Sequence, residues 1–366
     1  MTNREALIAL NMLPKIGPVR VQRLLEALGS AEAILTSPAN KLTQVRGIGN
    51  ETAQIIRSWE TSINLAAEIQ EAERRGIQII TQEDDDYPAP LRQMYDPPLA
   101  LYVWGELKDQ DKHAMAVVGS RRCTHYGQSS ALSLSRDLAA SGLTIISGLA
   151  RGIDTFGHRG ALEAGGRTVA VIGSGLAQLY PPENMRLAEE IADGHGAVVS
   201  EFPLQQPPDK KTFPMRNRIV ASWASGVLVV ECPQWSGSLI TANLAADMGK
   251  NIYAVPGPID RPTSAGCNQL IRDGATLVTS AQDILDDLET LPLMQSASDP
   301  ANTPAPVLEL DELESSVISV LSKEELLLDQ LVASTGLSVQ QLSATLLKLE
   351  MKSLVRQLPG PRYILR

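Results

Sequence analysis

Met115-Ala116-Val117-Val118-Gly119-Ser120-Arg121-Arg122 decides the fold: a short apolar run ends in a small-residue turn that carries two cations. The same arrangement recurs. Leu143-Thr144-Ile145-Ile146 leads into Ser147-Gly148-Leu149-Ala150, and Thr168-Val169-Ala170-Val171-Ile172 leads into Gly173-Ser174-Gly175. Further runs are Ala197-Val198-Val199-Ser200, Gly226-Val227-Leu228-Val229-Val230 and Asn251-Ile252-Tyr253-Ala254-Val255. Helical stretches such as 129–141 and 238–249 separate them. Strands that are apolar throughout are covered on both faces, so the pattern predicts a mostly parallel sheet between helices. The fold class is α/β, an extended Rossmann-like domain over 71–287. Ligands of such sheets lie beyond the carboxyl ends of the strands, where nearly all of these glycine- or arginine-bearing turns fall.

On the amino side, 1–70 reads as a small domain of short helices, with apolar residues at helical spacing over 4–12 and 19–28. Leu13-Pro14-Lys15-Ile16-Gly17-Pro18 separates those two. A stronger hairpin signal is Leu42-Thr43-Gln44-Val45-Arg46-Gly47-Ile48-Gly49-Asn50-Glu51 and the helix after it. Gly47 and Gly49 either close a small helical fold or expose amides that hold a phosphate. On the carboxyl side, Pro292, Pro300, Pro304 and Pro306 among Ser, Ala, Thr and acids mark a linker over 288–311. Over 312–366 the pattern predicts helices at 313–321, 326–334 and 338–352, then a hairpin around Pro359-Gly360-Pro361. That order is winged-helix-like. The third helix offers Gln340, Gln341, Thr345 and Lys348 but no arginine, which favours a protein-contact or structural role over base reading.

A chain of 366 residues with 43% hydrophobic and 20% charged residues is globular rather than disordered. The formal charge of −10 argues against a polyanion partner only if it is spread evenly. It is not: 91–280 balances acids and bases, while 71–90 and 281–311 are strongly acidic. No run approaches a membrane span, and the N-terminus lacks a signal-peptide layout. Cys123, Cys232 and Cys267, odd in number and widely spaced, read as reduced thiols of a cytoplasmic protein.

Two segments carry binding chemistry. Gly119-Ser120-Arg121-Arg122 lets a phosphate approach backbone amides, with a hydroxyl donor and a planar guanidinium fork beside them. Lys210-Lys211-Thr212-Phe213-Pro214-Met215-Arg216-Asn217-Arg218 sets cations around one ring and one amide, which suits a strand with unstacked bases. The alternative is that Arg216 and Arg218 pair with carboxylates such as Glu201 or Glu231 and that Phe213 is core. Asp154 would repel a phosphate unless paired, and Arg151 or Arg121 is its expected partner. Ser236-Gly237-Ser238 with Thr241 opens a helix, as a cap or as an anion site.

Catalytic signals are missing. There is no complete G-x-G-x-x-G and no G-x-x-x-x-G-K-[ST]. His113, His125, His158 and His195 are scattered, and no Cys/His set marks a metal or G-x-S-x-G a nucleophile. His158 reads as helix packing or a bond to the Asp154 loop. We expect no enzyme activity, cofactor or metal. One rival reading is a nucleotide- or nucleoside-phosphate-processing enzyme using Glu201 or Glu231; another is a protein-interaction scaffold.

Taken in order, Val118-Gly119-Ser120-Arg121, 147–154, 171–175, Ser200-Glu201-Phe202-Pro203, 213–220, Ser236-Gly237-Ser238-Leu239-Ile240-Thr241-Ala242 and Val255-Pro256-Gly257 resemble the DNA-processing protein A (DprA/Smf) family. The resemblance spans the chain: a sterile-alpha-motif-like or helix-hairpin-helix front, the Rossmann-like domain and the winged-helix-like tail. It implies a bacterial protein that binds single-stranded DNA in natural transformation, protects it and helps load a RecA-type recombinase. It also implies a homodimer formed through the Rossmann-like domain. Carried onto this chain, the DNA site comprises Gly119, Ser120, Arg121, Lys211, Phe213, Arg216, Asn217 and Arg218, with Gly173 and Gly175 as its floor. Phe156, before Gly157-His158, departs from the alanine of many relatives.

Overall fold

The computed structural model describes residues 1–289, 312–321, 326–351, 355–358 and 362–365. The chain forms two compact units, Met1–Gln295 and Ser296–Arg366. The linker expected over 288–311 falls outside the described residues from 290 onward.

The first unit begins with helices, among them α1 (Asn3–Met12), α2 (Pro18–Leu28) and α3 (Asn50–Arg57). Thr2 and Glu5 form a capping box at the start of α1, and Pro18 occupies the first turn of α2 after Gly17. Gly47 adopts φ +87° before α3, so the tight turn expected there is present. Leu7, Leu10, Val21, Leu24, Ile34 and Ile56 share one apolar core. Ile8 packs instead among residues of the sheet, and Asn11 donates to the Glu201 carbonyl at 2.9 Å, which ties these helices to it.

The sheet has nine strands among the described residues: β1 (Ile77–Thr81), β2 (Ala100–Gly105), β3 (Ala114–Gly119), β4 (Thr144–Ser147), β5 (Thr168–Val171), β6 (Gly196–Ser200), β7 (Gly226–Val230), β8 (Asn251–Ala254) and β9 (Thr276–Leu277). Their order is β1-β2-β6-β5-β4-β3-β7-β8-β9. From β6 across to β9 every pairing is parallel, whereas β1 and β2 add on antiparallel beside β6. The six strands read from the sequence are all present. β1, β2 and β9 were not predicted, because no glycine turn follows β1 and β9 is two residues long.

Alternation along the strands explains the two covered faces. Ala114, Ala116 and Val118 of β3 enter one core with Val227 and Val229 of β7. Met115 and Val117 enter the opposite core with Leu228 and Val230. Helices α4 (His125–Ala140) and α5 (Ile153–Glu163) close the second face through Ala131, Leu134, Leu138 and Ile153. Helices α6 (Thr212–Trp223) and α7 (Gly237–Asp247) close the first through Ile219, Val220, Trp223, Ala242 and Ala245.

After β3 the chain moves to β4, β5 and β6 on one side, then returns to place β7 on the other side of β3. The loops after β3 and β7 therefore leave in opposite directions and open a crevice, as at other topological switch points. Gly119 ends β3 where a Cβ would run into the Val230 carbonyl and the Ile153 side chain.

At the opposite edge of the sheet, Arg167 donates to both oxygens of Asp111 at 2.8 Å, and Thr144 donates to the same carboxylate at 2.9 Å. The pair is buried, with side-chain exposures of 9% and 2%. His158 on α5 is fully buried, with Nδ1 2.7 Å from the Thr168 hydroxyl. Burial, reinforced by Arg216, pushes its imidazole down to about 3 from the usual 6.5.

The second unit has α8 (Glu312–Leu321), β10 (Leu326–Leu327), α9 (Leu328–Thr335), α10 (Val339–Met351), β11 (Val355–Leu358) and β12 (Arg362–Leu365). Its sheet order is β10-β12-β11, a winged-helix arrangement around Val317, Leu331, Leu342, Leu346 and Leu349. Leu326 and Leu327, expected to open a helix, are extended because they pair with Tyr363 and Arg362. Thr345 is buried and its hydroxyl donates to the Gln341 carbonyl, so it does not face outward for base contact.

Two stability predictions follow from these buried groups. Arg167→Ala leaves the Asp111 carboxylate without its buried cation and should cost about 3–5 kcal/mol, read as a lower midpoint in urea unfolding. For His158, the unfolded state binds more protons between about pH 6.5 and about 3. Stability should therefore fall as pH drops through that window, by up to about 1.4 kcal/mol per pH unit. Urea midpoints measured from pH 7 to 4 should show a flatter profile for His158→Gln.

Candidate functional site

The crevice between the β3 and β7 loops widens into an open cavity of about 880 Å³. Gly119, Ser120, Arg121 and Arg122 form one wall, Lys210, Phe213, Arg216 and Asn217 a second, and Trp235 with Ser236–Ser238 a third. Residues nearly 120 positions apart thus meet because β3 and β7 are neighbours.

Each wall is held by backbone bonds. The Ser120 amide donates to the Glu231 carbonyl at 2.9 Å, and its hydroxyl accepts from the Arg122 amide at 3.1 Å, so the hydroxyl proton remains to be given elsewhere. Gly152 has φ +76°, and a Cβ there would strike Ser120 and Arg121. Ser236 caps α7 by accepting from the Ser238 amide, its hydroxyl lies 2.7 Å from that of Ser238, and both residues line the cavity. Ser236 is thus the cap of α7.

The cations divide into two groups. Arg121, Arg122, Lys210 and Lys211 are exposed, and among the described residues none is in an ion pair. Arg216 and Arg218 are buried, at 4% and 9% exposure. Arg216 Nη1 donates to the carbonyls of Gly148, at 2.7 Å, and Val171. Burial, with Arg121 nearby, lowers its pKa to about 10, so it stays a cation at neutral pH. Arg218 turns away from the cavity: it is paired with Glu201, and its Nε lies 3.3 Å from Asp96. Lys210, rather than Lys211, reaches the cavity wall.

Asp154 departs from its expected pairing. Arg151 is committed to Glu183, and the Asp154 carboxylate accepts from the amides of Gly148, at 3.0 Å, and Ala150, at 3.3 Å. Burial pushes its pKa up, while Arg216 and those amides oppose the shift. A short carboxylate can satisfy its own loop's amides without a partner side chain, an option the run of residues left unseen.

Phe213 is half-buried over Gly173, where a Cβ would press on the ring at 2.9 Å. The Arg121 guanidinium lies 5.1 Å from the ring centroid and Tyr180 is 6.0 Å away. One face of the ring expected to take a base is thus already covered by a cation. Gly175 lies away from the cavity and takes the close approach of the Pro203 and Leu204 carbonyls.

The carboxylates considered for acid–base chemistry are engaged elsewhere. Glu231 accepts from the Thr124 amide and hydroxyl at 2.9 and 2.8 Å, anchoring the start of α4, and Glu201 holds Arg218. Trp235 and Tyr180 are cavity residues that the sequence reading passed over. The available signal for Trp235 was a large ring in Pro233-Gln234-Trp235, outside any apolar periodicity.

Three regions match family profiles: residues 78–289 match DNA recombination-mediator protein A, 300–361 the DprA winged helix domain, and 7–58 a SAM-like helix-hairpin-helix tandem. The chain is 33% identical to Protein Smf of Synechocystis sp. over 97% of each chain. It is similar to the crystal structure of DNA processing protein A from Streptococcus pneumoniae, with TM-score 0.68, 36% identity, and 78% of this chain and 98% of that one covered. It is also similar to DNA processing protein A from Helicobacter pylori, described by its single-stranded DNA binding mode, with TM-score 0.52 and 31% identity. That match covers 58% of this chain and 96% of the other.

Proposed function

Because this chain belongs to the DNA recombination-mediator protein A (DprA/Smf) family, we propose that the switch-point cavity binds single-stranded DNA during DNA processing in natural transformation. The observation that carries this reading is the cluster of Arg121, Arg122 and Lys210, exposed and, among the described residues, outside any ion pair, on the walls of one cavity with Phe213. These cations neutralise phosphates, while the Ser120 hydroxyl and the amides opening α7 donate to phosphate oxygens. When Arg121 swings to a phosphate it uncovers the Phe213 face for a base. Duplex DNA is disfavoured because its stacked, paired bases do not enter the cavity.

Arg216 and Arg218 are positioning residues in this scheme. Arg216 holds the carbonyls under the loops and Arg218 fixes α6 against Glu201. The protein acts by binding rather than turnover, in the cytoplasm, as a homodimer that protects incoming DNA and helps load a RecA-type recombinase. Support for these finer points is the family membership. The engagement of Glu201 and Glu231 in structural bonds favours binding over the nucleotide-processing alternative.

The test is a titration of wild-type and Arg121→Ala protein with single- and double-stranded oligonucleotides across a salt series. Wild type should prefer the single strand, and affinity should fall with salt at roughly 0.7 in log–log slope for each phosphate contact. Arg121→Ala should weaken binding and flatten that slope by about one such increment. Equal affinity for duplex, or no effect of Arg121→Ala together with Lys210→Ala, places the DNA site elsewhere.

A further inference from the structure

Three rings border the cavity, and they differ in what covers them. Phe213 lies under the Arg121 guanidinium at 5.1 Å and against Tyr180. Tyr180 is half-buried, with the Arg151 guanidinium 5.8 Å from its centroid. Trp235 is 91% exposed and lines the same cavity, and among the described residues it has no ring or cation stacked on it. The other tryptophans, Trp59, Trp104 and Trp223, are half-buried or buried. A fully exposed indole contributes nothing to the core, since its apolar area remains in water. Directly after it come Ser236, Gly237 and Ser238, which line the same cavity and open the 11-residue helix α7, with the Ser236 and Ser238 hydroxyls 2.7 Å apart. A free aromatic face next to a set of phosphate donors is the pairing that recurs where proteins hold unstacked bases.

We infer that Trp235 is a second base-stacking platform, so that the cavity holds a run of at least two unpaired nucleotides. One base lies at the Arg121–Phe213 wall and another on the Trp235 indole, with the phosphate next to Trp235 received by Ser236–Ser238. This inference rests on the single-stranded DNA reading of the cavity. It adds the ligand's minimum length and a residue that contributes to affinity without reading sequence, because every base offers a π-face.

The experiment compares wild type, Trp235→Ala, Trp235→Phe and Arg121→Ala with two probes, oligothymidylate and an abasic sugar-phosphate chain of equal length. Trp235→Ala should weaken oligothymidylate binding roughly 5- to 150-fold, the range for one lost stack. Trp235→Phe should recover most of it, and binding of the abasic chain should be unchanged in both. Indole emission of the wild type should be quenched by oligothymidylate and less so in Trp235→Ala. Thermal midpoints verify that each variant is folded, and the exposure of the ring predicts no shift on its removal. If Trp235→Ala binds oligothymidylate like wild type while Arg121→Ala is weakened, the stacking inference fails and the cavity assignment stands. Equal losses on the abasic chain and on oligothymidylate also overturn it, since the ring is then not acting on bases. If neither Trp235→Ala nor Arg121→Ala changes binding, the cavity assignment itself fails.

Discussion

Arg216 extends from α6 beneath the loops that follow β4 and β5, where it donates to the carbonyls of Gly148 and Val171. Those two carbonyls lie at the ends of neighbouring strands. A single buried guanidinium therefore links α6 to the carboxyl edge of the sheet. Gly148 is the residue that admits it, because a Cβ there would overlap the guanidinium. The Gly148 amide in turn donates to Asp154, whose buried carboxylate sits in the field of the same cation. Cation, glycine and carboxylate form one polar unit at the cavity, of which Arg216, Gly148 and Asp154 are all lining residues.

This unit separates two jobs that positive charge performs here. Buried cations are expensive to desolvate and stay only where carbonyls or carboxylates receive them; Arg216, Arg218 and Arg167 all meet that condition. Exposed cations retain their hydration and remain available to an incoming anion, as Arg121, Arg122 and Lys210 do. The overall charge of −10 is consistent with an anion site because field strength at the cavity is set by these few near groups.

Strand order is the other determinant. Placing β7 beside β3 brings Gly119–Arg122 against Glu231–Ser236, and the bond from the Ser120 amide to the Glu231 carbonyl seals the base of the crevice. Glu231 also anchors the start of α4 through Thr124. The cavity is thus built from loops whose roots are tied to neighbouring strand ends.

Much of this was legible in the chain itself. Apolar runs followed by glycine turns identify the parallel strands, since only a strand covered on both faces is apolar throughout. Gly119-Ser120-Arg121 and the segment around Phe213 stand out by residue type. Tertiary structure alone decided which cations face the cavity. Arg216 and Arg218 lie two positions apart on α6, yet one reaches strand-end carbonyls and the other reaches Glu201. Lys210 rather than Lys211 reaches the wall, and Trp235 is bare while Phe213 is covered. Local pattern determines strands and turns because their periodicity is a property of neighbouring residues. Which side chain is paired, covered or free depends on partners tens of residues away, and only the packed sheet brings them together.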